Sequence, residues 1–291
     1  MRCTVPNRQS AALAGLFPQR AHYPRCVEQQ QPHTVDSLTR ELHDLGVPAG
    51  GVVLLHSSMR SLGFVAGGVH AVVLALLAAL GPDGTLVVPT HTPDNTDPAE
   101  WRNPPVPSTW WPVIRGQTPG FDPASTPSQW MGVLAEAVRT WPGALRSDHP
   151  QVSFAALGSR AAEIVGRHRL DDGLGDDSPL GALYERNGTV LLLGCGHDAN
   201  TSLHLAEWRQ RAPRRAVAGS SVRQPDGTSR WVVWTDVVPD ESDFVRLGAD
   251  FEATGGVTVG RVGNATARLM PQRALVDFAT GWMAAHRRPA G

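Results

Sequence analysis

The chain has 291 residues, with 26 basic against 27 acidic groups and a formal net charge of −1, so no global field draws it toward nucleic acid or an anionic membrane. Every basic residue is arginine, which leaves no lysine for Schiff-base chemistry or a phosphate-binding Walker loop. Cys3, Cys26 and Cys195 form no disulfide framework; a reducing cytoplasm fits them best, and no apolar run reaches the length of a membrane span.

Residues 1–33 are rich in Arg, Gln and Pro without a sustained period and read as a poorly ordered N-terminal extension, leaving 34–291 as one domain. Thr34 is placed to cap a helix ending at Leu45, with Leu38, Leu42 and Leu45 on one face and Gly46 as its stop. Residues 51–56 (GVVLLH) read as a buried strand that delivers His56, Ser57 and Ser58 to its carboxyl end. Open α/β sheets bind ligands at that edge; the same hydroxyls also suit capping the next turn. Gly67-Gly68 opens a largely apolar helix to Leu80, and Gly81-Pro82-Asp83-Gly84 is a turn. A second strand, residues 86–89, brings Thr90-His91-Thr92 to the same edge.

Residues 93–127 are dense in Pro, Asp, Asn and Trp and read as a long loop carrying Asp94, Asp97, Glu100 and Asp122. With Trp101, Trp110 and Trp111, it suits either a site for a cationic or sugar-like ligand or a lid packed by its aromatics. A helix over 129–140, a third strand over 152–157 and a helix over 161–167 follow, with His149 before Pro150 read as structural. Ser178-Pro179 starts another helix toward Tyr184.

Residues 189–208 (TVLLLGCGHDANTSLHLAEW) carry the strongest signal. A buried strand over 190–193 stops at Gly194, the chain turns through Gly196 and Asp198, and Asn200 caps a helix. On that helix Thr201, His204 and Glu207 are three apart and form one ridge. A histidine beside a carboxylate at the mouth of a strand-to-helix loop is a candidate general base, because the carboxylate orients the ring and stabilises the imidazolium. The competing reading is a solvent-exposed pair on a capped surface helix. Residues 222–238 read as an antiparallel hairpin turning at Asp226-Gly227, residues 255–269 as short and glycine-broken, and 271–286 as the last helix. The fold class is α/β: a three-layer α/β/α sandwich around a mostly parallel mixed sheet, with a small antiparallel hairpin subregion.

No G-x-S-x-G elbow, H-E-x-x-H or paired C-x-x-C is present. The loop after residues 190–193 lacks two features of S-adenosylmethionine-binding loops, with Leu192 in place of the acid and Asp198 in place of the third glycine. His56, His91, His197 and His204 can gather from strand ends around a metal, but no tight ligand motif supports this, and no metal is expected.

Five blocks, in order, resemble the aminoglycoside 3-N-acetyltransferase family: 56–63 (HSSMRSLG), 84–90 (GTLVVPT), 146–150 (RSDHP), 177–180 (DSPL) and 200–207 (NTSLHLAE). The tail, 262–265 (VGNA) and 276–279 (VDFA), is similar as well, so the resemblance runs over roughly residues 35–285. It implies a domain that binds acetyl-coenzyme A and moves the acetyl group directly to an amine, with no covalent enzyme intermediate. His204 would be the base and Glu207 its orienting group. His56, Ser57 and Ser58 would lie near the thioester and pantetheine, Ser178 would be a further candidate there, and Thr201 would position the acetyl oxygen. The implied acceptor is a polycationic aminoglycoside, modified at the 3-amino group of its 2-deoxystreptamine ring, which confers antibiotic resistance. Asp94, Asp97 and Glu100 are the carboxylates offered to it. A different small amine as acceptor, or a non-catalytic aminoglycoside-binding protein, are the alternative readings. A monomer or homodimer is expected, with no nucleic acid or membrane partner.

Overall fold

The structure is a computed structural model describing residues 31–287. The expected N-terminal extension, with Cys3 and Cys26, falls almost wholly outside the described residues. Helix α1 (Val35–Leu45) starts from a capping box: Thr34 Oγ1 accepts from the Ser37 N–H, and Ser37 Oγ accepts from the Thr34 N–H. Leu38, Leu42 and Leu45 are buried, and Gly46 ends the helix at φ +96°.

The chain continues through β1 (Val52–Ser57), α2 (Gly68–Leu80) and β2 (Thr85–Pro89). Next come α3 (Trp111–Gln117), α4 (Gly132–Arg139), β3 (Leu145–Arg146), β4 (Phe154–Gly158), α5 (Ala161–Val165) and α6 (Pro179–Glu185). The second half runs through β5 (Thr189–Leu193), α7 (Ser202–Trp208), β6 (Arg215–Arg223), β7 (Ser229–Val237) and α8 (Phe244–Glu252). It closes with β8 (Thr258–Val262), β9 (Ala265–Pro271) and α9 (Gln272–His286).

Seven strands form one sheet in the order β3-β4-β2-β1-β5-β9-β8, and β6 and β7 form the separate hairpin. The sheet is mixed, as expected, but parallel pairing is confined to β2-β1-β5; β4 and β9 run against their neighbours. Within each wing the consecutive strands are antiparallel because their connection is short: Gly263-Asn264 alone joins β8 to β9, and parallel strands require a long crossover. Side chains alternate between two cores. Val53, Leu55, Leu191 and Leu193 pack with the α1, α2 and α4 side. Val52, Leu54, Val190 and Leu192 pack with the side of α5 to α9. Burial of both faces explains why these strands read as unbroken apolar runs, and it makes the three layers.

Three stretches differ from the sequence reading. The long loop contains α3 and is tied to the hairpin, where Asn95 bonds Ser221 through both its amide donor and its acceptor. The hairpin begins at Arg215, seven residues before the expected start, because its first strand is small and polar without alternation. Residues 255–269 hold β8 and most of β9, and helix α8 before them was not anticipated. Among the described residues no helix is long and apolar enough to cross a membrane.

Gly194 is where β5 leaves the sheet. Its φ is +75°, and a Cβ there would lie 2.5 Å from Ser61 Cβ. Both constraints exclude a side chain. Gly194→Ala should therefore cost roughly 2–4 kcal/mol of unfolding free energy from backbone strain and overpacking together, measured by urea titration. An unchanged midpoint would show that the loop relaxes freely.

Candidate active site

Because β1, β2 and β5 are parallel, their carboxyl ends deliver His56-Ser57, Thr90-His91 and Gly194-Cys195 to one edge. A cleft of about 270 Å³ opens there, lined among others by His56, Ser57, His91, Thr201, His204 and Phe244. Helix α7 is anchored over it at its start. Asn200 Oδ1 accepts from the Ser202 N–H at 3.2 Å, and His56 Nε2 accepts from the Thr201 N–H at 3.3 Å. His56 can accept because burial, with a contribution from His204, holds its pKa down at about 3 and keeps the ring neutral.

One turn along, His204 Nδ1 lies 2.6 Å from Glu207 Oε2, and both residues are buried. With the carboxylate accepting the Nδ1 proton, Nε2 is the ring nitrogen left available to a ligand. Glu207 Oε1 accepts from the Asp240 N–H at 3.0 Å and from Arg287 Nη1 at 2.5 Å. The Phe244 ring lies 4.9 Å from that of His204. A histidine so paired with a carboxylate in an apolar wall is suited to general-base chemistry. The two are not a solvent-exposed surface pair.

A family model described as aminoglycoside 3-N-acetyltransferase matches residues 54–284. The chain belongs to the aminoglycoside 3-N-acetyltransferase family. It is 37% identical over 270 residues to aminoglycoside N(3)-acetyltransferase IX of Micromonospora chalcea, covering 87% of this chain and 94% of the relative. The crystal structure of the YokD protein from Bacillus subtilis superposes with a TM-score of 0.86 at 39% identity, covering 88% of this chain and 95% of that one. A structure of AAC-IIIb in binary complex with CoASH superposes with a TM-score of 0.79 at 29% identity, covering 90% and 99%.

In this family member the residues singled out from sequence divide by position. His56, Ser57, Thr201 and His204 meet at the cleft, with Glu207 directly behind His204. Ser58 is not among the lining residues; its Oγ lies 3.1 Å from Ser61 Oγ. Ser178 caps α6, accepting from the Leu180 N–H and donating to Gly175 O, and is also outside the cleft. Asp97 pairs with Arg115 at 2.7 Å, and Glu100 lies exposed 3.9 Å from Arg102. Asp94 bonds Gln129, the neighbour of cleft residue Trp130. His197 turns away from His56, His91 and His204, bonding Glu252 at 3.1 Å. Among the described residues no group of three or more His, Cys, Asp and Glu side chains could hold a metal ion. Burial pushes the Cys195 thiol up to about 11, which keeps it protonated.

Several lining groups were missed by sequence reasoning: Phe244, Glu241, Asp198 and Trp130. From sequence Asp198 reads as a residue of the turn after β5, and Phe244 and Glu241 belong to α8 and its approach, which carry no clear sequence signal. Trp130 is 83% exposed and sits at φ +60°, in the left-handed region. His91 has its Nε2 buried without a hydrogen-bond partner among the described residues, and burial, with His204 and His56 nearby, lowers its pKa to about 3.

Burial likewise lowers the pKa of His149 to about 4, and those of His168 and His197. Each of these five rings has a folded pKa below its ordinary value of 6.5. The unfolded chain therefore binds more protons as pH falls below about 6.5, so their contribution to stability is whole above that value and declines toward about pH 4. The urea midpoint should be level from pH 8 to 7 and fall clearly by pH 5. A midpoint that stays level to pH 5 would mean that these rings charge within the folded protein.

Proposed function

We propose that the protein transfers the acetyl group of acetyl-coenzyme A to the 3-amino group of an aminoglycoside's 2-deoxystreptamine ring. The observation that carries this reading is the His204–Glu207 pair at 2.6 Å, set on the wall of a cleft at the carboxyl edge of the parallel strands. The coenzyme A complex of AAC-IIIb supports the donor, and the aminoglycoside N(3)-acetyltransferase of Micromonospora chalcea supports the acceptor. The donor is a cytoplasmic metabolite, so the reading carries the chain to that compartment.

His204 Nε2 takes a proton from the neutral acceptor amine as its lone pair attacks the thioester carbon; the C–N bond forms, the C–S bond breaks, and coenzyme A leaves as a thiolate that takes the proton back from the imidazolium. Glu207 fixes the ring's tautomer and stabilises the imidazolium. Ser57 and Thr201, on the cleft wall, hold the thioester end of the donor, with His56 keeping the start of α7 in place through the Thr201 N–H. For a polycationic acceptor, Glu241 and Asp198 line the cleft itself, and Asp94 is bonded to Gln129, next to the lining residue Trp130. Asp97 and Glu100 already face arginines and contribute less.

Release of free thiol from acetyl-coenzyme A, followed across a panel of aminoglycosides, tests the reading. The parent protein should turn over, His204→Ala should lose about 10²- to 10⁴-fold in kcat, and Glu207→Gln should lose less. A protein that is thermally stabilised by an aminoglycoside but releases no thiol would be a binding protein. A His204→Ala variant as fast as the parent would remove the base from the mechanism.

A further inference from the structure

The carboxylate behind His204 is itself held from the far end of the chain. Arg287 reaches Glu207 Oε1 through Nη1 at 2.5 Å, while its Nε and Nη2 grip the two oxygens of Asp243 at 2.8 and 2.5 Å. Nη2 also donates to Asp240 O at 2.7 Å, and the Asp240 N–H donates to the same Glu207 oxygen. The guanidinium lies 5.9 Å from the Phe244 ring, which packs on His204. A single planar cation thus joins α7, the turn before α8 and the end of α9 around one carboxylate. Burial works against its charge, but hydrogen bonds and charges from Asp243 and Glu207 raise its pKa above the ordinary value.

Why a cation is needed there follows from what lies behind it. Glu207 and Arg287 both line a second cavity, of about 840 Å³, whose lining does not include His204. Without the guanidinium, a carboxyl group only 3% exposed would be left with one backbone N–H and the imidazole as partners, and it could turn toward water in that cavity. We infer that Arg287 is a positioning residue for acetyl transfer: by fixing Glu207 Oε1 it keeps Oε2 on His204 Nδ1 and the ring's Nε2 in the cleft. This rests on the acetyltransferase reading, and residue 287 lies beyond the 54–284 matched by the family model.

The experiment compares parent, Arg287→Met and Arg287→Lys by two readouts: steady-state thiol release, and the far-downfield imidazole proton of His204 in the NMR spectrum, assigned by its loss in His204→Ala. Arg287→Met should lower kcat about 10- to 100-fold, as a small misplacement of the base does, with KM for acetyl-coenzyme A within about twofold and the downfield proton lost. Arg287→Lys, which keeps the charge, should recover part of both. The inference is overturned if the Met variant keeps parent kcat and the proton, or if Met and Lys variants lose activity equally and only in proportion to unfolded protein. Should the parent release no thiol, the acetyltransferase reading fails, and the proton signal in parent and Met variant still decides whether Arg287 holds the pair.

Discussion

The structure around the cleft depends on one buried carboxylate with its two oxygens assigned to different tasks. Glu207 Oε2 faces His204, and Oε1 faces Asp240 and Arg287. An ionised carboxylate this deeply buried is costly unless each lone pair finds a donor. The fold supplies those donors from elements far apart in sequence. Helix α7 brings the histidine, the turn before α8 brings the Asp240 amide, and the end of α9 brings the guanidinium. The His204–Glu207 pair and the packing of α8 and α9 against α7 are therefore parts of one arrangement.

The sheet explains why that arrangement sits where it does. Three parallel strands end together, and β5 stops at a glycine whose left-handed backbone and contact with Ser61 send the chain into α7. His56 completes the link, accepting from the Thr201 N–H because burial keeps it uncharged. The same burial that serves the geometry disfavours the imidazolium, because a charge on an enclosed ring is cut off from water. The close approach of α8 depends on Gly248, where a Cβ would fall 2.0 Å from the His197 ring. That approach is what brings Phe244 against His204.

Much of this was legible in the sequence, for physical reasons that also mark its limits. His204 and Glu207 are three apart on a helix, and local periodicity shows such a pair directly. Strands buried on both faces announce themselves as apolar runs, so the sheet centre and the histidines at its edge could be placed. Arg287 contacts Glu207 across 80 residues, and no local pattern encodes a contact of that kind. Helix α8 follows a stretch of Asp, Glu, Ser and Pro that reads as loop, so Phe244 and Glu241 had no element to stand on. The β8–β9 wing was missed because Gly260 interrupts β8 and Gly263-Asn264 joins the two strands, a weak local strand signal that pairing of β8 with β9, and of β9 with β5, overrides. Ser178 illustrates the converse: its motif was visible, but its hydroxyl serves a helix cap.

The central claim is that an acyl group passes straight from a thioester to an acceptor nitrogen at His204. Acetyl-coenzyme A labelled with ¹³C at the carbonyl, mixed with the protein and an aminoglycoside, tests it by NMR of the products. The account predicts that the label appears as an amide on the 3-amino nitrogen of the acceptor. Label that remains thioester, is released as free acetate, or accumulates on the protein would contradict it.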